Sequence, residues 1–516
     1  EIFFLDHLDF SKILFITTDE QRFDALGCNG GTIAKTPRLD SLAANGLNYH
    51  RAYVNNVVCM PSRATMVTGQ YPSTHGVIAN GISLPLEAPC IADIFKTDGG
   101  FSTALIGKSH LQPIAGADAD VPAPHNWERT AATRGDTGPY RGFDTVKLSS
   151  HGLGAIVNHY QVWLEENHPE FVDCYLRQVA PKGGLNLSPG GDTGAIQVHR
   201  NAIPTKYYHS YWLADEANKW INEQGDDENW FLWVSFGDPH HPFQPPQEEL
   251  ARINWRNVPL PGGHPGTADA VRAILEEKPQ HWLNYYLGIN YPALEIPRGF
   301  IPAEMTLDQI REINTMVHIM NEVMDDAIGR ILDHLDTLGF LDDTHIVFTS
   351  DHGSMQGDVG LMFKGPFHVD SLMHIPLIWR PAREVGIIPA QIDELVSTVD
   401  IAPTFCEMAG LPAADWMQGR HLPKANDGSR DHVIVEWDQW SEDAHIIINT
   451  IITNDYICSE YLKSSYYDQG TGELYRYRDD LNQWYNRWDD LHHEQAKDEL
   501  LRILNDSLPP RRKPPL

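Results

Sequence analysis

Several short polar strings in this sequence hold residue types that can do chemistry. The densest is Asn55-Asn56-Val57-Val58-Cys59-Met60-Pro61-Ser62-Arg63-Ala64-Thr65-Met66-Val67-Thr68-Gly69-Gln70. After Pro61 it reads as a helix, because Ala64, Met66 and Val67 are apolar and Pro costs no hydrogen bond in a first helical turn. Cys59 then sits just before a helix N-terminus, where backbone N–H groups and the macrodipole favour negative charge. Arg63 lies one turn along and adds a fixed positive charge. A lone cysteine by itself reads as a small buried hydrophobe; this setting makes a nucleophile the alternative.

Four more polar strings each follow an apolar run. Lys12 to Thr17 leads to Asp19-Glu20, and Ser102 to Ile106 leads to Lys108-Ser109-His110. Trp230 to Ser235 leads to Asp238-Pro239-His240-His241-Pro242-Phe243, and His345 to Thr349 leads to Ser350-Asp351-His352-Gly353, with Lys364-Gly365-Pro366 shortly after. Each has an ordinary explanation: Asp19-Glu20 as a helix cap and first turn, Lys108 and His110 as surface residues. Short apolar runs of this kind are expected of buried parallel strands. In an open parallel sheet, ligands bind outside the carboxyl ends of the strands. Four runs therefore deliver their polar residues to one edge, with Cys59 topping a helix nearby. For Asp19-Glu20 metal binding is the alternative reading, and carboxylates suit a hard cation such as Ca²⁺.

The string Cys59-x-Pro61-Ser62-Arg63, followed by Thr68-Gly69, resembles the signature of the sulfatase family. In that family a maturation enzyme oxidises the cysteine to formylglycine, whose hydrate is the nucleophile. One departure is Gln70, where Arg is usual; it bears on a contact anchoring the helix. The resemblance implies metal ligation by Asp19, Glu20, Asp351, His352 and the Cys59-derived group, with Ca²⁺ favoured over Mn²⁺ or Mg²⁺. Asp-Asp is usual where this chain has Asp19-Glu20. It implies that Lys108 and Lys364 bind the sulfate and that His240 contacts the ester, with His241 behind it. On this scheme Arg63 and the metal ease ionisation of one hydroxyl, and Asp351 accepts its proton. His240 or Lys364 protonates the leaving oxygen, and His110 takes the proton of the second hydroxyl. Related phosphonate monoester hydrolases carry uncharged hydroxyl side chains at the positions of Lys108 and His110, which favours sulfate esters here.

The likeness spans nearly the whole chain. It implies an α/β fold with a large, mostly parallel central sheet, helices on both faces, and a smaller C-terminal antiparallel subdomain. Residues 1–427 would form the catalytic domain, with irregular insertions at about 111–205 and 251–300. The first holds a candidate helix from Ile156 to Glu166. The second holds Trp255, Trp282, Tyr285, Tyr286 and Tyr291, read as packing. Tyr207 to Gln224 and Thr306 to Leu338 carry apolar stripes at helical spacing. Asp400 to Gly410 reads as a helix capped by Asp400, and His374 to Trp379 as a strand. Residues 428–516 read as strands followed by an acidic helix, Glu494 to Leu504. The tail, with Arg511, Arg512 and Lys513 among prolines, is either a disordered end or an arm for a neighbouring subunit.

The 516 residues carry a formal net charge of −31. No basic stripe is available to neutralise phosphates, which excludes nucleic acid as a partner. No run approaches the ~20 apolar residues that span a bilayer. The six scattered cysteines form no framework, which favours a reducing, cytoplasmic location; a removed leader and a periplasmic location stay open. The partners expected are a small sulfate ester, the formylglycine-generating enzyme and further copies of the chain, as a dimer or tetramer. The alternatives are a phosphonate monoester or phosphodiester hydrolase on the same scaffold, and a binding protein with Cys59 unconverted.

Overall fold

The computed structural model describes residues 11–113, 126–150, 158–176, 189–226, 228–289, 295, 299–426, 428, 430–440 and 444–512. Eight strands form the main sheet: Lys12–Thr18 (β1), Leu47–Tyr49 (β2), Ser102–Gly107 (β3), Thr145–Leu148 (β4), Trp230–Ser235 (β5), Thr344–Ser350 (β6), Leu377–Arg380 (β7) and Ala390–Ile392 (β8). Their spatial order is β8-β2-β7-β6-β1-β5-β3-β4. The five from β6 to the edge strand β4 are parallel, and β7 runs against both of its neighbours.

Every residue of β1, β5 and β6 is buried, so these strands are apolar almost throughout instead of alternating. Their side chains divide between two cores. Ile13 and Phe15 meet Phe231, Trp233 and Val347 on one face; Leu14 and Ile16 meet Leu232, Val234, Ile346 and Phe348 on the other. Helix Cys59–Thr68 (α1) covers the first face, His209–Ile221 (α2) and the lower half of Leu307–Leu338 (α3) cover the second, and Ile401–Met408 (α4) returns to the first. The α3 stripe Ile310, Ile313, Val317, Met320, Met324, Ile328, Ile331 and Leu335 is buried throughout. Thr306 and Gln309 close its N-terminus with a reciprocal capping box.

Four antiparallel strands follow in sequence order: Val433–Trp440, His445–Ile452, Tyr456–Tyr461 and Thr471–Arg476. Helix Glu494–Ser507 (α5) packs Leu500 and Leu504 on Ile434, Ile451, Cys458 and Leu474. The amides of Asn55 and Asn56 donate to Ile434 O (2.8 Å) and Glu436 O (2.6 Å). The small sheet thus holds the segment that leads into Cys59.

Some local expectations change. The His374–Trp379 run begins its ladder only at Leu377, because Pro376 has no N–H to give and Ile375 bonds to Ala52 instead. Asp400 closes a 3₁₀ turn with Ser397 and pairs with Arg430, so its side chain does not cap α4. The first insertion carries helix His159–Asn167; Ile156 lies outside the described residues, as does Tyr291. Trp282, Tyr285 and Tyr286 are buried, whereas Trp255 is half-buried. The tail, as far as Arg512, lies on its own chain: Arg512 N bonds Ser73 O (2.7 Å), and Arg511 and Arg512 pair with Asp438 and Glu87.

Gly107, the last residue of β3, has φ +119°, and a Cβ there would lie 1.9 Å from Ser235 O. Gly339, after α3, has φ +78° and open space around it. Gly107→Ala therefore costs roughly 3 kcal/mol or more, from strain plus a backbone clash. Gly339→Ala costs about 1–2 kcal/mol, from strain alone. Denaturant unfolding of the two variants beside the parent checks this order.

Candidate active site

β6, β1, β5 and β3 are neighbours, and their carboxyl ends share one edge. The chain beyond each strand is tied to the next one: Asp351 N bonds Thr18 O (3.1 Å), Asp19 N bonds Asp238 O (3.1 Å) and Lys108 N bonds Ser235 O (2.8 Å). The four polar strings are thereby drawn into one place.

Cys59 is the first residue of α1, not the residue before it. The helix starts early because Asn56 Oδ1 accepts Val58 N (3.1 Å) and Asn80 Oδ1 accepts Met60 N (2.9 Å). All ten residues of α1 are buried. Cys59 Sγ lies 3.2 Å from His352 Nε2, 3.2 Å from Lys364 Nζ and 3.6 Å from Asp19 Oδ1. Gln70 donates to Trp416 O (3.3 Å), so this departure still anchors the end of the helix.

Arg63 joins three strand ends. Its Nε donates to Asp351 Oδ2 (2.8 Å), and its Nη1 donates to Lys108 O (2.8 Å) and Ser235 Oγ (2.7 Å). Arg63 Nη2 is buried with no partner among the described residues. Burial opposes the guanidinium charge, but Asp351 and Asp19 outweigh it and raise the Arg63 pKa. Lys108 Nζ pairs with Asp19, and Lys364 Nζ pairs with Glu20.

Asp19, Cys59, Asp351 and His352 offer ligand atoms within 4.8 Å of one another, all buried. His352 Nδ1 donates to Gly353 O (2.8 Å), which leaves Nε2 facing the cluster, as second-sphere bonding of a ligating histidine requires. Burial pushes the His352 pKa down, but the Asp351 charge outweighs it and the net value is raised to about 9. Carboxylate oxygens with one imidazole nitrogen fit a hard or borderline divalent cation.

Glu20, the fourth expected ligand, is placed differently. Its carboxylate turns from this cluster to Lys364 and to His240 Nε2 (3.3 Å), and it groups with His240 and His241. The extra methylene and a backbone at φ +65° carry the group away, while Glu20 N still bonds Asp351 Oδ1 (3.3 Å). His240 Nδ1 lies 2.5 Å from His241 O. The carbonyl can only accept, so Nδ1 carries the proton and Nε2 faces the site. His110 is buried at φ +57°, with Nδ1 unpartnered among the described residues. Burial, then the charges of Lys108 and Arg63, hold its pKa well below the ordinary histidine value. Both effects favour the uncharged imidazole, which has a nitrogen able to accept a proton.

The structure thus brings together Asp19, Glu20, Cys59, Arg63, Lys108, His110, His240, Asp351, His352 and Lys364. Sequence reasoning missed three residues that hold them: Ser235, Asn80 and Glu128. Ser235 ends a strand, where its hydroxyl was a weak signal. Asn80 sits in an irregular stretch and Glu128 in the first turn of a short helix, Trp127–Arg134, and their sequence context carries no mark of their contacts.

Comparison with known proteins agrees with this arrangement. The sequence model of the family described as Sulfatase matches residues 11–411. A second, described as N-sulphoglucosamine sulphohydrolase, C-terminal, matches residues 357–508. The chain is 26% identical over 512 residues to the uncharacterized sulfatase YidJ of Escherichia coli (strain K12), covering 98% of this chain and 88% of that protein. It is 26% identical over 448 residues to an arylsulfatase of Clostridium perfringens (strain 13 / Type A), covering 85% and 83%. Among solved structures, the phosphonate monoester hydrolase of Agrobacterium radiobacter shares the fold, with a TM-score of 0.75, 24% identity and coverage of 96% and 95% of the two chains. A match of one family model across more than three quarters of the sequence, joined to this site, means that the chain belongs to the sulfatase family.

Proposed function

We propose that this protein hydrolyses sulfate monoesters to an alcohol and sulfate. The observation that carries the reading is the meeting of the Lys108 and Lys364 ammonium groups, the Arg63 guanidinium and the buried imidazoles of His110 and His240 at the edge that holds Cys59, beside a metal-capable carboxylate cluster. A divalent ion held by Asp19, Asp351 and His352, with Ca²⁺ favoured by the oxygen donors, would supply Lewis acidity beside residue 59. Conversion of Cys59 to formylglycine by a maturation enzyme would supply the nucleophile. Glu20 keeps Oε1 on Lys364 and His240, so Oε2 is the oxygen it could offer the ion.

The chain's own residues then have separable tasks. Arg63 fixes the Asp351 carboxylate and directs its unpartnered Nη2 toward incoming negative charge. Lys108 and Lys364 stand where the sulfuryl oxygens of an ester bind, and preorganised charge counts most in a buried site. His240, with Nδ1 committed to a carbonyl, holds or gives a proton at Nε2 toward the leaving oxygen. Neutral His110 accepts a proton. The fixed charge of Lys108, with His110 beside it, supports sulfate over phosphonate monoesters as the better substrate. The unpaired cysteines support a cytoplasmic location.

Two measurements test the proposal. Ca²⁺ added to chelator-treated protein raises the melting temperature, by the equivalent of about 2.7 kcal/mol at a hundred times Kd. Asp19→Asn and His352→Ala abolish that rise, and a rise that survives both places the ion elsewhere. For activity, kcat/KM on 4-nitrophenyl sulfate exceeds that on a phenylphosphonate monoester, and Cys59→Ser removes turnover of both. The reverse preference assigns the phosphonate chemistry, and full turnover by Cys59→Ser excludes a modified residue 59.

A further inference from the structure

Lys108 and His110 lie on a loop whose conformation needs a cause. Gly107 before them is at φ +119° and His110 is at φ +57°, a region that strains a residue bearing a side chain. Such a backbone persists only where its surroundings over-determine it. Here the cause is one carboxylate from the first insertion. Glu128, buried at 6% exposure, is the second residue of helix Trp127–Arg134. Its Oε2 accepts His110 N (3.0 Å). Its Oε1 accepts Leu111 N (3.0 Å), Gln112 N (3.2 Å), Ser109 Oγ (2.9 Å) and Tyr140 OH (2.8 Å). Gln112 Oε1 answers by accepting Glu128 N (3.1 Å).

Three successive N–H groups converging on one point make a nest for an anion, and the chain supplies that anion itself. The carboxylate is supported from behind: Arg141 Nε donates to Tyr140 OH (3.1 Å), and the Tyr140 ring stacks on Trp127 at 4.5 Å. Glu128 touches neither Cys59 nor the metal-capable cluster. Its contacts go to Ser109 and to the backbone of residues 110–112, which carries His110, whose Nδ1 has no partner among the described residues; Lys108 is held separately, by Ser235 O and Arg63.

We propose that Glu128 is a positioning residue for the reaction, acting through the stretch of loop that carries His110. The assignment rests on the sulfate ester reading above. It ties the first insertion to the chemistry, because losing the carboxylate releases the His110 stretch while Lys108 keeps its bonds to Ser235, Arg63 and Asp19. A neutral amide cannot replace it, since its NH₂ group would face N–H donors.

A double-mutant cycle separates this role from plain structural support. Glu128→Gln lowers kcat/KM on 4-nitrophenyl sulfate about a hundredfold, the scale of a displacement of about 1 Å. In a His110→Ala background the same change costs at most about threefold, because the group it positions is already gone. Tyr140→Phe, a milder variant that removes one of the five bonds, lowers kcat/KM about fivefold alone and has no further effect with His110→Ala. Equal losses in both backgrounds, or Glu128→Gln within about twofold of the parent, overturn the assignment. A parent enzyme inert toward sulfate esters defeats the functional reading alone. Calorimetric binding of inorganic sulfate or phosphate then reads the same coupling: about tenfold weaker for Glu128→Gln, but not when His110 is already Ala.

Discussion

Three carboxylates, Asp19, Glu20 and Asp351, lie at no more than 1% exposure at the carboxyl edge of the main sheet. Buried charge is tolerated only when paired and hydrogen-bonded. Each carboxylate has its own cation: Lys108, Lys364 and Arg63. Removing one member of such a pair costs roughly 3–5 kcal/mol, so these six residues cannot drift independently. The constraint reaches outward. Arg63 ties the ends of β6, β3 and β5 together, and α1 must be buried along its length to bring Arg63 and Cys59 there.

The same balance explains how a chain of net charge −31 can receive an anion. Arg63, Lys108 and Lys364 stand around Cys59, each paired with a buried carboxylate. The local charge there is balanced, unlike that of the chain as a whole. A divalent ion among Asp19, Asp351 and His352 would compete with the His352 proton and with Lys108 for the same oxygens, coupling metal affinity to protonation.

Much of this was legible from sequence. The apolar runs before Asp19, Lys108, Asp238 and Asp351 announced buried parallel strands, and strand ends in such sheets face one edge. The period of Ile310 to Leu335 announced α3. The Cys59 string carried enough fixed residues to mark a family. Long-range contacts left no local trace. Glu128 reaches the His110 loop from an insertion with no periodic pattern, and Asn80 caps Met60 from an irregular segment. The turning of Glu20 toward Lys364 depends on a left-handed backbone that its neighbours in sequence do not announce. The early start of α1 was hidden for a similar reason, since its cap comes from Asn80, twenty residues away.

The central claim is that this charge-balanced cage exists to serve an oxidised side chain at position 59. Mass spectrometry of the peptide containing Cys59, from protein made alongside a formylglycine-generating enzyme, tests it most directly. The account predicts a mass matching replacement of the thiol by an aldehyde, and capture of that peptide by a hydrazide. An unmodified thiol in a preparation that still turns over sulfate esters would contradict it.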